Sequence, residues 1–248
     1  MKLKEKPSKE PVPVEPHSSV SAGSTLRQII LGGQDGLVNV LGIILGLAAA
    51  VSVNSSIGPS AVLIGGLAAT FAESISMAAV AYTSAKAQRD FYYSELAREK
   101  MEIKKFPEIE REEVKVIYMK KGFRRKQLAG IVDKICSNER MWLDVMMTEE
   151  LSLTESKNIH PMNEAFVVGA SAMVGSLIPL APFFFMDVQS AIFPSLVISG
   201  IALFVAGAYK GKTTSGSLWK TGIEMVLIGL ASAFIGYVVG SWAGNYFA

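Results

Sequence analysis

The chain has 248 residues, half of them hydrophobic, with 24 basic and 22 acidic side chains and a formal net charge of +2. Its single cysteine, Cys136, excludes an intramolecular disulfide and a cysteine-rich metal site. The hydrophobicity is concentrated in stretches near 27–52, 60–84, 164–186, 189–209 and 221–243, each close to the roughly 20 apolar residues needed to cross ~30 Å of hydrocarbon. These define an all-α membrane protein with five transmembrane helices.

Residues 1–24 are polar and rich in Pro, Lys, Glu and Ser, the composition of a disordered tail. Prolines follow the lysine-rich start where a signal peptide would carry an apolar run, so the first span is expected to direct insertion. That span contains LGGQDGLVNVLGIILGL, which sets Asp35 in an apolar helix among Gly32, Gly33 and Gly36. An ionisable group in hydrocarbon costs roughly 2.5 to 3.5 kcal/mol on insertion scales, which marks Asp35 as a substrate, ion or proton site.

After a short connection from Asn54 to Pro59, the second span runs on without Pro or Gly from Met77 to about Lys104. One helix therefore leaves the membrane and projects some 30 Å beyond it. Counting rise from Arg27 and Ala85, Asp35 and Met77 both lie about 12 Å deep, with Asn39 and Glu73 one turn deeper on the same faces. Carboxylate, amide and thioether together make a cation site. The thioether tilts it from Mg²⁺ or Ca²⁺ toward a transition metal such as Fe²⁺. The alternative is that Met77 only packs and Glu73 only hydrogen-bonds a neighbour.

The insert at 86–161 holds 16 basic and 14 acidic residues. Its helix formers are interrupted near Phe106-Pro107, Lys121-Gly122 and Ser152, which predicts three helices. Glu95, Glu99 and Glu102 share one helical face, Glu110 and Glu113 repeat the step after Pro107, and Met146 or Met147 shares a face with Glu150. Two interpretations stay open on the residues alone: a solvated charged face with Lys100, Lys104 and Arg111 as counter-charges, or a carboxylate and methionine cluster that binds metal.

The last part, 162–248, holds spans three to five. Of the Lys and Arg residues, five precede span 1, sixteen lie in the insert and three (Lys210, Lys212, Lys220) join spans 4 and 5. All fall on one side of a five-span topology, so the positive-inside rule places the N-terminus in the cytoplasm and the short connection around Asp187 outside. Glu224, about 6 Å inside span 5, either assists at the entrance or snorkels to Lys220. Gly32/Gly36, Gly42/Gly46 and Gly236/Gly240 are candidate close-contact faces.

Five stretches occur in order: LGGQDGLVNVLGIILGLAAA in span 1, ISM of span 2 running into YTSAKAQRDFYYSELAREK, WLDVMMTEELSL in the insert, GSLIPLAPFFF in span 3 and GAYKGK after span 4. Over about residues 25–243 they resemble the vacuolar iron transporters of plants and their fungal, protist and prokaryotic relatives. The resemblance implies a homodimeric membrane transporter, not an enzyme. Its substrate is Fe²⁺, with Mn²⁺, Co²⁺ and Zn²⁺ as further candidates, moved out of the cytoplasm in exchange for protons. It needs no cofactor and no nucleic-acid partner. The family's translocation path is matched by Asp35 and Met77, and its cytoplasmic metal-binding domain by Glu99, Glu102, Glu110, Glu113, Met146, Met147 and Glu150. Glu73 departs from the family pattern, in which a small residue is common. The membrane is the plasma membrane in a prokaryote and a vacuole-like organelle in a eukaryote.

Two other functions weigh against this. A membrane-anchored metal-binding or metal-sensing protein without transport leaves Asp35 and Glu73 without a purpose. A di-iron enzyme needs Glu-x-x-His pairs, which His17 and His160 do not supply.

Overall fold

A computed structural model describes residues 19–54, 56–153, 159–213 and 216–246, with side chains from Thr25 onward. The chain is all-α. Helix α1 (Ser19–Val53) and helix α2 (Ser60–Lys105) precede the insert. The insert adds α3 (Pro107–Lys120), α4 (Arg125–Cys136) and α5 (Glu139–Val145), the last continuing as a π turn over Met146–Glu150. Then follow α6 (Pro161–Leu180), a 3-10 turn at Ala181–Phe184, α7 (Val188–Thr213) and α8 (Leu218–Tyr246). Among the described residues, five helices (α1, α2, α6 with its 3-10 turn, α7 and α8) are long and apolar enough to cross a membrane. Helix α1 begins at Ser19, inside the tail expected over 1–24; residues 1–18 of that tail lie outside the described residues.

The boundaries follow local chemistry. Pro107 takes the first position of α3, where its missing N–H costs nothing, and the chain turns at Phe106, whose N–H bonds the Glu102 carbonyl at 2.7 Å. Gly122, at φ +99°, supplies the left-handed residue that ends α3. A further break at Ser137–Asn138, with no Gly or Pro to announce it, separates α4 from α5; the Asn138 side chain accepts from the Met141 N–H at 3.1 Å and caps the new helix.

Helix α1 forms the centre of the bundle. Glycines let its backbone approach α6 on one side and α8 on the other. A Cβ on Gly46 would come 2.8 Å from the Gly236 carbonyl oxygen, and one on Gly36 would come 2.6 Å from Ser176 Oγ. In hydrocarbon, where the solvent is as apolar as a side chain, such close packing is what holds helices together. Ser232 adds a hydrogen bond from Oγ to the Val38 carbonyl at 3.2 Å. The outward faces of α7 and α8 are apolar, with Phe193, Ile201, Phe234 and Trp242 exposed on the bundle surface, as helices in lipid require. The insert has its own core of Ile103, Val114, Leu128, Val132, Ile135, Trp142 and Met146. It is thus a folded unit in which the extended end of α2 takes part.

Candidate cation sites in the bundle and in the insert

The first site lies between α1 and α2. Asn39 Nδ2 donates to Glu73 Oε1 at 3.1 Å, and the Asp35 carboxyl lies beside Glu73 within hydrogen-bonding reach. Helical spacing explains the grouping: Asp35 and Asn39 are one turn apart on α1, and the antiparallel α2 brings Glu73 against both. All three are half-buried. Met77 is half-buried one turn nearer the insert, on the face of α2 that carries Glu73. Two carboxyl groups and an amide thus meet in the membrane-length part of the bundle with no basic side chain among them. Such a set is stable only if it shares protons or surrounds a cation.

The second site lies in the insert, where the solvated-face interpretation fails for two of its glutamates. Glu99 is 2% exposed and Glu110 5%. Glu99 is pushed up to about 8, first by burial, then by its hydrogen bond to Glu110 and the negative charges of Glu110, Glu150 and Glu102. Burial also raises Glu110, opposed by the hydrogen bond from Glu99 and reinforced by Glu113 and Glu102. The pair therefore shares a proton that Glu99 holds and Glu110 accepts. Glu99 Oε1 and Glu110 Oε2 remain buried without a hydrogen-bond partner, a costly arrangement unless something supplies positive charge. Glu150, although its side chain opens to solvent, is raised by partial burial and by Glu113, Glu110 and Glu102, with Arg98 opposing.

Met146 and Met147 are both buried, at 0% and 2% exposure. The segment winds as a π turn, in which the Leu151 N–H reaches back to the Met146 carbonyl at 3.2 Å. Glu102 and Glu113 are half-buried at the edge of the cluster. Among the described residues, no three His, Cys, Asp or Glu side chains converge on one point that could hold a metal ion; the carboxylates gather as the Glu99–Glu110 pair with the others around it.

The expected counter-charges turn elsewhere. Lys104 pairs with Glu139 at 3.8 Å and Arg111 with Asp133. Arg98, which was not among the expected site residues, lies across Glu95 and Glu102 at 2.7 and 3.6 Å. Its i−3 and i+4 spacing to these two acids is the signal that identifies it. Glu224 is exposed on α8.

An apolar five-helix bundle with a hydrogen-bonded carboxylate site inside it, joined to a carboxylate and thioether domain at one end, defines a helical membrane protein equipped to handle cations. The family model for the VIT family matches residues 26–241. The chain is 34% identical over 215 residues to vacuolar iron transporter 1 of Eucalyptus grandis, covering 86% of this chain and 84% of the relative. It is 32% identical over 220 residues to vacuolar iron transporter 1 of Oryza sativa subsp. japonica, with 88% and 85% covered. To the vacuolar iron transporter of Plasmodium falciparum it is 30% identical over 226 residues, with 87% and 81% covered. The chain belongs to the VIT (vacuolar iron transporter) family. It is accordingly a membrane transporter and not an enzyme.

Proposed function

We propose that this protein carries Fe²⁺ out of the cytoplasm in exchange for protons, working as a homodimer with its N-terminus and insert on the cytoplasmic side. The observation that carries this proposal is the intramembrane grouping of Asp35, Glu73 and Asn39. Anchoring a metal sensor needs no acids there, and their desolvation works against it. The relatives' names supply the metal, and the donor chemistry agrees: Met77 in the bundle and Met146 and Met147 in the insert favour a transition metal over Mg²⁺.

The chain's residues divide the work. Glu99, Glu102, Glu110, Glu113, Glu150, Met146 and Met147 collect Fe²⁺ from the cytoplasm, with the protons on the buried glutamates leaving as metal arrives. Asp35, Met77, Glu73 and Asn39 receive the ion in the bundle. A carboxylate holds either a metal or a proton, so exposing this site alternately to two compartments of different pH links the two flows. Mn²⁺, Co²⁺ and Zn²⁺ fit the same donors. The membrane is the plasma membrane of a prokaryote or a vacuole-like organelle of a eukaryote. Asp35→Ala tests the proposal: it abolishes Fe²⁺ flux in proteoliposomes while Fe²⁺ binding by the insert persists. Unchanged flux in that variant contradicts it.

A further inference from the structure

The carboxyl cluster of the insert carries a fixed positive charge at its rim. Arg98, on the extended part of α2, forks onto Glu95, with Nη1 donating to Oε1 at 3.3 Å and Nη2 lying 2.7 Å from Oε2. Its Nε faces Glu102 Oε2 at 3.6 Å. Two parallel contacts to one carboxylate are the strong and oriented form of such a pair. A single contact at 3.6 Å is too long for a hydrogen bond and leaves an ion pair that another cation can replace. The grip on Glu95 is therefore the firm one and the hold on Glu102 the loose one.

Exposure separates the two acids in the same sense. The Glu95 side chain is 13% exposed and that of Glu102 35%, with Arg98 itself half exposed. Glu95 thus pins the guanidinium beside the more open glutamate. The other paired bases of the insert turn away from the cluster: Lys104 to Glu139, Arg111 to Asp133, Lys115 to Glu112 and Lys121 to Glu149. Among the described residues, Arg98 is the one base that forms an ion pair with a glutamate of the cluster, and its charge also reaches Glu150.

We infer that Arg98 is a displaceable counter-ion that sets how tightly the insert holds Fe²⁺. The inference rests on the collecting role proposed above for the insert. Without metal, Arg98 neutralises Glu102. When Fe²⁺ arrives, Glu102 passes from Arg98 to the ion while Arg98 stays forked on Glu95, so the exchange needs no rearrangement of α2. The guanidinium keeps its charge at every working pH. It therefore remains beside the bound ion, and its repulsion loosens a site otherwise rich in carboxyl groups. A site that collects ions for transport has to let them go again.

The test uses the full-length chain in the Asp35→Ala background, so that binding reports the insert, with Fe²⁺ added anaerobically. Calorimetry gives the affinity, and rapid mixing with a chelator gives the rate of release. Arg98→Gln is expected to bind Fe²⁺ severalfold tighter and to release it severalfold more slowly. Arg98→Lys, which keeps the charge, is expected to stay near the parent, and the gain from Arg98→Gln to shrink when Glu102→Gln is also present. An arginine that only braced α2 would leave binding unchanged or weaker in Arg98→Gln, and that result overturns the inference. Equal tightening by Arg98→Lys overturns it too; in both cases Fe²⁺ binding by the parent leaves the collecting role standing. A parent whose insert binds no Fe²⁺ overturns that role and the inference with it.

Discussion

Asn39 donates to Glu73 at 3.1 Å across the α1–α2 interface, tying Glu73 to the helix that carries Asp35. Glu73→Gln keeps an acceptor for Asn39 and removes only the ionisable group. Flux in Glu73→Gln is expected to fall about tenfold, a barrier higher by about 1.4 kcal/mol, and to lose its response to an imposed pH gradient. Asn39→Ala is expected to reduce flux less and to keep the pH response. Proteoliposome flux at two gradients distinguishes the variants.

Metal binding by the insert is expected to weaken as pH falls. Glu99 holds its proton up to about 8, so Fe²⁺ must displace it at neutral pH. With one proton released per metal, affinity drops about tenfold per pH unit below that value. Anaerobic calorimetry in buffers of different ionisation enthalpy counts the protons. An affinity independent of pH between 6 and 8 contradicts the assignment of Glu99.

The same carboxyl group makes the metal-free insert less stable at higher pH. Unfolded, Glu99 releases its proton near 4.5; folded, it keeps it to about 8. The stability gained from the protonated form is complete below 4.5 and is lost progressively as pH rises to 8. Hydrogen exchange in α3 and α5 is expected to quicken over that window, and Glu99→Gln to flatten the dependence. Exchange that slows with rising pH, after correction for its intrinsic base catalysis, contradicts this.

The contact of α1 with α8 tolerates no side chain at its glycines. Gly46→Leu inserts a side chain where even a Cβ would come 2.8 Å from the Gly236 carbonyl oxygen, and is expected to cost about 1–3 kcal/mol or more by overpacking. Gly200→Ala, with nothing within 4 Å of its Cβ, is expected to leave the melting temperature in detergent unchanged. Equal melting temperatures for the two variants contradict the packing.

The spans and the long α2 were legible because hydrophobic length and the lack of Pro and Gly are properties of the sequence itself. So was the Asn39–Glu73 juxtaposition, which needs only helical rise and antiparallel geometry. Burial in the insert was not. Glu99 and Glu110 carry the same spacing whether a face meets water or a neighbouring helix, and only the fold of α3 and α5 against α2 closes over them. The π turn over Met146–Glu150 escapes periodicity because it departs from the 3.6-residue repeat. The Ser137–Asn138 break lacked a glycine or proline to mark it, and Lys104 and Arg111 found partners on helices far away in sequence.

Proton-coupled Fe²⁺ export through the Asp35 and Glu73 site is tested most directly by anaerobic Fe²⁺ flux in sealed proteoliposomes that contain a trapped iron-responsive dye and a pH reporter. With an imposed proton gradient, flux is expected to follow the gradient and to move protons the opposite way, and to vanish in Asp35→Ala. Fe²⁺ binding without flux, or flux with no accompanying proton movement, contradicts the exchange.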